Sequence, residues 1–323
     1  MEMMRAAVTG AAGYVGGELI RLLIQHPHIE LVQVSSRSQA GLPVSEVHPD
    51  LLGWTDLTFT DSYVVDVDVL FIAMGHGKSE EYLEKAVVPS SCRVVDMSRD
   101  FRLIDDAGDF VYGLCELNRD QIKTALRIAN PGCFATCIQL GLLPMASAKK
   151  LNSEIHVTAI TGSTGAGQKS VNTTHFSWRN NNVSIYKPFT HQHLGEIRQS
   201  IVQLQPSYGE AINFIPMRGD FTRGIFASIY FKSEMGQDEA IAMYEDYYRS
   251  SPFVHISPNP LSVKEVVNTN NAKLNITTHQ GKIRIESIID NLLKGAAGQA
   301  IQNLNLMMGW EEKSGLQLKG SAF

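Results

Sequence analysis

Clustered positive charge, long apolar runs and paired cysteines are all scarce in this 323-residue chain. Lysine and arginine number 28 against 33 aspartates and glutamates, for a net charge of -5. No strongly basic tract is present, which argues against a nucleic-acid partner. No apolar run reaches the roughly 18 residues that a membrane helix needs, so no membrane association is expected. The opening Met1-Glu2-Met3-Met4-Arg5 leads straight into a strand-like run instead of a signal segment. A cytoplasmic protein is expected. The four cysteines, Cys92, Cys115, Cys133 and Cys137, form neither a CxxC pair nor a zinc spacing. Cys133 and Cys137 are four apart, but no other Cys or His lies within a turn of them, so no metal is expected. Free thiols suit a reducing compartment. The length suggests about two domains, each able to bury a core.

Ala6-Ala7-Val8-Thr9 reads as a short buried strand. It runs into Gly10-Ala11-Ala12-Gly13-Tyr14-Val15-Gly16-Gly17, then an apolar-faced helix over 18–26 that stops at Pro27. A second strand follows at 31–35. Strand, Gly-rich turn, helix and strand make a βαβ unit. Glycines let the backbone turn tightly and approach a pyrophosphate seated on the helix N-terminus. The spacing is GxxGxxG instead of GxGxxG, so the flanking elements carry the dinucleotide reading more than the motif does. The second strand ends in Ser35-Ser36-Arg37-Ser38, with no acidic residue to hold a ribose 2′-hydroxyl. Hydroxyls from Ser36 and Ser38 with the Arg37 guanidinium suit a 2′-phosphate, so NADP(H) is expected over NAD(H).

Further strand patterns at 68–73, 93–96 and 127–129 extend the β–α alternation. They imply an α/β fold with a doubly wound, Rossmann-like parallel sheet. Ligands on such sheets bind beyond the strand C-termini. Asn130-Pro131-Gly132-Cys133 follows one of those ends, and an apolar helical pattern begins there. A thiol at a helix N-terminus faces unpaired N–H groups and the positive dipole end, which favour thiolate. A thiolate attacks acyl carbons, so a thiol beside a hydride carrier suggests redox chemistry on an acyl group. The ordinary reading of Cys133 is a small core residue.

After that helix a strand at 155–160 leads into Thr161-Gly162-Ser163-Thr164-Gly165-Ala166-Gly167, which reads as an anion-binding loop or a plain flexible turn. Residues 178–193 are polar and aromatic and read as loop, with His191 and His193 facing solvent, or one site if the chain is extended there. Strand patterns at 211–215, 225–231, 274–278 and 282–289, with a helix at 238–250, predict an inserted α+β domain on a mixed sheet. A long helix from Asp290 to Met307, with small residues on one side, is expected to return to the nucleotide domain. The expected division is 1–132 plus 290–323 for the dinucleotide domain, and 133–289 for the catalytic and dimerisation domain.

Taken together these segments resemble the N-acetyl-gamma-glutamyl-phosphate reductases, relatives of aspartate-semialdehyde dehydrogenase. The resemblance runs nearly end to end, through Gly10–Leu23, Ser35–Gly41, Asp96–Arg102, Tyr112–Leu114, Asn130–Cys133, Gly162–Gly167 and Asp290–Gln299. It is nearest to the branch found in Bacteroidetes-type bacteria. It implies NADPH-dependent reduction of an acyl phosphate in arginine biosynthesis, through a thioester on Cys133. It also implies a small-molecule acyl-phosphate substrate and a homodimer or homotetramer. By resemblance, Gly10, Ala11, Ala12, Gly13, Tyr14, Val15, Gly16, Gly165 and Asn291 contact the cofactor. Arg102 and Asn130 hold the leaving phosphate, Ser163 contacts substrate, and Arg223 holds its α-carboxylate. Met217 stands where the family commonly has a histidine proposed as acid/base, so His193 or His191 is the expected substitute, with water or the phosphate itself as the alternative. Cys115 replaces a usual proline. The acyl group is open between N-acetyl and N-succinyl. An aspartate-semialdehyde substrate, or a non-enzymatic NADP-binding regulator, are the rival readings.

Overall fold

The computed structural model describes residues 3–64 and 66–322. They fall into two compact units. One comprises the chain up to Pro131 with Ala296–Gln317, the other Gly132–Gly295 with the residues from Leu318 on.

The first unit opens with β1 (Met4–Thr9), α1 (Tyr14–Leu23), β2 (Ile29–Ser35) and the short α2 (Val44–Val47). It continues through β3 (Val69–Ile72), α3 (Ser79–Lys85), β4 (Arg93–Asp96), β5 (Val111–Tyr112), α4 (Cys115–Thr124) and β6 (Arg127–Ala129). Its sheet is parallel throughout, in the order β2-β1-β3-β4-β6-β5. The strands read as unbroken apolar runs because both faces are covered, and Val69, Leu70, Phe71 and Ile72 are all buried. α1 turns Leu19, Ile20, Leu22 and Leu23 inward. The strand order reverses at β1, with β2 on one side and β3 on the other, which makes the switch point where such sheets bind ligands.

The second unit begins with α5 (Cys133–Ser147), then β7 (Ile155–Thr161), α6 (Phe176–Arg179), β8 (Ser184–Ile185), α7 (His193–Leu204) and β9 (Ile212–Arg218). β10 (Ile225–Lys232), α8 (Gln237–Tyr248), β11 (Val254–Ile256), β12 (Ala272–His279) and β13 (Lys282–Ile289) complete it. Its sheet is mixed, in the order β11-β12-β13-β10-β7-β9-β8. α5 is almost wholly buried. Pro144 lies inside it and lacks the N–H that would reach Leu140 O. The Tyr248 hydroxyl donates to Leu140 O instead (2.5 Å), and Tyr244 donates to Gly141 O (2.6 Å), so the broken ladder is repaired from α8.

The helix expected from Asp290 begins only at Ala297, as α9 (Ala297–Met307). Residues 290–295 wrap around Asp290, whose Oδ1 accepts the N–H of Leu292 (2.7 Å) and Leu293 (3.1 Å). Those are helix-capping hydrogen bonds, but the turn they open closes from Gly295 N–H to Asp290 O (2.9 Å), five residues on, and does not continue as α-helix. The same carboxylate binds Arg223 and the Asn268 N–H, so this stretch stays with the second unit and the return falls at Ala296 instead of 290. The last residues lie with the second unit through Ala322 N–H to Lys264 O (3.1 Å). Within the first unit, α9 packs by amide hydrogen bonds. Asn303 and Gln299 both donate to Gly113 O (2.8 and 2.9 Å).

No helix among the described residues is long and apolar enough to cross a membrane.

Candidate active site

In the first unit, the glycine turn sits at the switch point. Gly10 has φ +70°, and a Cβ there would lie 2.6 Å from Ala73 O, just past β3. A Cβ on Gly16 would meet Ala11 O at 2.4 Å, so the helix start is drawn against the turn. Gly13 is the N-cap of α1, and a Cβ on it would meet only Gly10 O, at 3.8 Å. A bare backbone cradle capped by a helix N-terminus fits a pyrophosphate. Ala12 and Val15 are half-buried and Tyr14 is exposed beside it. His48 was not anticipated. It is buried, its Nε2 is 2.9 Å from Ala11 O, and a side chain on Gly17 would strike it.

Past β2, Arg37 and Ser38 are exposed, Ser36 Oγ is 3.4 Å from Ser38 Oγ, and Arg37 reaches Tyr63 at 3.5 Å. A cluster of hydroxyls and one exposed guanidinium fits a phosphate. Past β4, Asp100 accepts the N–H of Gly77 (2.7 Å) and Ser79 (3.0 Å) and so fixes the loop before α3. Arg102 and Asn130 lie past β4 and β6 and are tied into the fold. Arg102 is buried and donates to Asn130 O (2.8 Å) and Met97 O (2.9 Å). Asn130 donates to Ala296 O and accepts from Asn303, both at 3.1 Å. Both side chains serve to hold the loop at the end of β6.

In the second unit, Cys133 is the first residue of α5, with Gly132 as N-cap. It is half-buried, whereas Cys92, Cys115 and Cys137 are buried. Burial pushes the Cys92 thiol up to about 11 and the Cys137 thiol up to about 12. Cys115 is enclosed between Asn303 and Gln299. Cys133 alone combines access with a helix start.

His191 and His193 are not the solvent-facing pair the sequence suggested. They are 5% and 6% exposed. The cause is non-local. The His191 ring packs edge-on against Phe134 of α5 and Phe214 of β9, each at 5.5 Å. Burial first, then Lys187, pushes His191 down to about 4, so its ring is neutral at physiological pH. Its Nδ1 accepts the His193 N–H (3.2 Å). His193 opens α7 with Nε2 against the Cys133 turn, where a Cβ on Gly132 would lie 2.3 Å away. Glu196, one turn on and 2% exposed, accepts the Gly132 N–H (2.8 Å) with one oxygen and stands 3.9 Å from His193 Nε2 with the other. Met217 lies on the opposite face of β9 from Phe214, by strand alternation over an unbroken register with β7. A side chain there points away from α5.

Ser163, Thr164 and Gly165 form a short 3-10 turn after β7. Ser163 N–H donates to Phe221 O (2.8 Å). Asn291 ties this turn to the facing loop, accepting from Gly224 N–H (2.6 Å) and donating to Thr164 Oγ1 (3.0 Å). Arg223 is anchored from within the fold. Its Nε and Nη2 are clamped by the buried Asp290 at 3.0 and 3.3 Å, so that edge of the fork is used internally. Gly295 joins the two halves of the site, since a Cβ on it would meet Asn291 O at 2.6 Å and Cys133 Cβ at 2.8 Å. The second unit thus gathers Cys133, His191, His193 and Asn291. Gly10–Gly16, Ser36–Ser38, Arg102 and Asn130 belong to the first. Glu196 was missed, although its place three residues after His193 on one helix is a sequence signal.

Comparison with known proteins agrees with this layout. Residues 5–125 match the semialdehyde dehydrogenase NAD binding domain, and residues 133–291 match the semialdehyde dehydrogenase dimerisation domain. Proteins named N-acetyl-gamma-glutamyl-phosphate reductase from Bacteroides thetaiotaomicron and Phocaeicola vulgatus are each 52% identical over 322 residues, covering 99% of this chain and all of the relative. The namesake from Flavobacterium johnsoniae is 48% identical over 325 residues, with the same coverage. Among solved structures, aspartate semialdehyde dehydrogenase II from Vibrio cholerae shares the fold at TM-score 0.75 and 16% identity, over 95% of this chain and 99% of that one. The Candida albicans aspartate semialdehyde dehydrogenase, solved with NADP, gives 0.69 at 15%, again over 95% of this chain and 99% of that one. With both units matched and full-length relatives at about half identity, the chain belongs to the semialdehyde dehydrogenase family, among the N-acetyl-gamma-glutamyl-phosphate reductases.

Proposed function

We propose that this chain, like the relatives named N-acetyl-gamma-glutamyl-phosphate reductase, reduces that acyl phosphate, and that it yields N-acetylglutamate semialdehyde and phosphate for arginine biosynthesis. The first unit binds the cofactor and the second carries the chemistry. The observation that carries the reading is Cys133, the one half-exposed thiol of the four, at the start of a 15-residue helix. Its thiolate attacks the γ-carbonyl carbon. The carbon–oxygen bond to phosphate breaks, phosphate leaves with the electron pair, and a thioester remains on Sγ. NADPH, when bound, supplies the hydride that this thioester needs. The glycine cradle would hold its pyrophosphate, with the Ser36-Arg37-Ser38 hydroxyls and guanidinium at the 2′-phosphate.

The remaining work falls to the chain's own groups. The N–H groups of the first turn of α5 are the donors for the developing oxyanion, apart from that of Gly132, which Glu196 takes. Collapse of the hemithioacetal re-forms the carbonyl, breaks the C–S bond and returns the thiolate. His193 manages the proton on that oxygen. Its Nε2 borders the Cys133 turn and the Glu196 carboxylate stands beside it. His191, neutral down to about 4, orients it through the His193 N–H. Arg102 and Asn130 act by fixing the loop that delivers Cys133. The enzyme works in the cytoplasm as a homodimer or homotetramer built through the second unit, where relatives carry their dimerisation domain.

The test runs the reaction backwards, with NADP+, phosphate and either N-acetylglutamate semialdehyde or aspartate semialdehyde. At least a tenfold preference in kcat/KM for the former is expected, and Cys133→Ser should abolish turnover. Equal or reversed preference overturns the substrate assignment. Turnover by the serine variant overturns the mechanism.

A further inference from the structure

The clamp of Asp290 on Arg223 leaves a question about which guanidinium meets the substrate's negative charge. Arg218, the last residue of β9, has the placement and the unmet charge to do so. β7 and β9 pair without a register shift from Ile155↔Ile212 to Thr161↔Arg218, so Phe214, Pro216 and Arg218 share one face of the strand. That is the face on which Phe214 packs against Phe134, the neighbour of Cys133, and against His191. The Arg218 guanidinium lies 4.6 Å over the Tyr186 ring. Tyr186 in turn stands 5.8 Å from the His191 ring and packs on the same core as Cys133. Burial, reinforced by the Cys133 thiol, raises the Tyr186 hydroxyl, so this ring is a desolvated and neutral platform.

Among the described residues no carboxylate forms an ion pair with Arg218, and its Nε is buried without a hydrogen bond. The neighbouring cation does not compensate. Arg179 spends its Nη atoms on the carbonyls of Asn182, Arg218 and Thr173 and on Ser184 Oγ. The nearby acid, Asp220, accepts the Asn181 N–H at 2.6 Å. A part-buried guanidinium over the Tyr186 ring and within reach of its hydroxyl, beside a second cation and with no carboxylate paired to it, is placed to take an anionic ligand. A planar, bidentate anion is what its fork matches.

Resting on the function proposed above, we propose that Arg218, stacked on Tyr186, is the residue that binds a carboxylate of the substrate in the catalytic unit. The carboxylate has two sources. One is the α-carboxylate of the glutamyl group, common to every N-acyl substrate. The other is a second carboxylate at the end of a dicarboxylic N-acyl group. Either way the contact is uniform binding, made equally in ground and transition state, so it shows in KM.

The experiment compares wild type, Arg218→Met and Arg218→Lys in the reverse assay with N-acetyl- and N-succinylglutamate semialdehyde. Arg218→Met should raise the semialdehyde KM roughly 10- to 100-fold, the loss of one charged hydrogen-bond pair, with kcat and the phosphate KM within about threefold of wild type. Arg218→Lys keeps the charge but loses the fork, and should fall between. Equal losses on both substrates assign Arg218 to the α-carboxylate. Loss confined to the succinyl substrate assigns it to the acyl carboxylate. An unchanged semialdehyde KM in both variants, or a rise in the phosphate KM alone, overturns the assignment. A variant that loses its native circular dichroism is set aside for the other one. Wild-type inactivity on both semialdehydes overturns the proposed function itself, and this assignment with it.

Discussion

Gly132→Ala tests the pairing of His193 with the Cys133 turn by adding a single methyl group. Gly132 has φ -69° and ψ 147°, a conformation that alanine adopts without strain. The backbone therefore gives no reason for glycine. The side chain does, because the new Cβ would lie 2.3 Å from His193 Nε2, 2.6 Å from Cε1 and 2.7 Å from Cδ2. Normal contact is about 3.5–4 Å, so the ring must withdraw by about 1 Å or more. It has little room, being 6% exposed with the His191 ring centroid 4.6 Å away. Overpacking of this kind costs about 1–3 kcal/mol. The stiffer unfolded chain returns roughly 0.4–1 kcal/mol. A net loss of about 1–2 kcal/mol is expected, read by urea unfolding. The larger effect is on rate, since a displacement of about 1 Å at a reacting group costs on the order of 100-fold. Gly236→Ala is the matched control. Gly236 is also an N-cap in extended conformation, at φ -70°, and nothing lies within 4 Å of its Cβ position. If Gly132→Ala behaves like Gly236→Ala in both stability and kcat, His193 is not seated against the Cys133 turn and its proton role falls.

Three further outcomes are expected. His191 stays neutral in the fold down to about 4, whereas in the unfolded chain it protonates near 6.5. The unfolded state therefore binds more protons in that window, and stability falls as pH drops from 6.5 to 4, by up to about 3 kcal/mol. His191→Asn, which keeps an acceptor for the His193 N–H, should lose that difference from wild type in urea unfolding across the window; parallel profiles would refute the burial argument. Arg37→Ala should cut the NADPH/NADH ratio of kcat/KM at least tenfold, and an unchanged ratio would remove Arg37 from the 2′-phosphate site. Iodoacetamide on the native protein should label Cys133 alone and abolish turnover in step, as mass spectrometry and activity would show; early labelling of Cys92 or Cys137 would contradict their burial.

Much of the fold was legible because its signals are local. The strands of the first unit are short apolar runs, and the Gly10–Gly16 turn sits between two of them. Cys133 could be placed at a helix start because Pro131-Gly132 ends one pattern just before another begins. The misreadings have a common cause, which is that distant residues decide them. The polar stretch around His191 reads as loop, but Phe134 and Phe214 bury it from elsewhere in the chain. Asp290 looks like the start of a long helix, but it caps a single turn, Arg223 and Asn268 hold its other oxygen, and the helix begins only at Ala297. The same pairing turns Arg223 inward, and 67 positions separate the partners. Asn130 likewise looks available in sequence, and only Asn303 of α9 shows how its amide is used. β5, β8 and β11, of two or three residues each, are too short to carry a period.

The discontinuity of the first unit also sets an order of events during synthesis. Its sheet is complete in the chain once β6 has emerged, but Gly113 O and the Asn130 side chain await donors from Gln299 and Asn303. The long segment of the second unit, Gly132–Gly295, is translated in between. At roughly 5–20 residues per second that interval lasts on the order of ten to thirty seconds. For that time the nascent parallel sheet stands on the ribosome without its closing helix. A chain cut after Gly295 would therefore carry every strand of the second sheet, from β7 to β13, and lack the helix that closes the first.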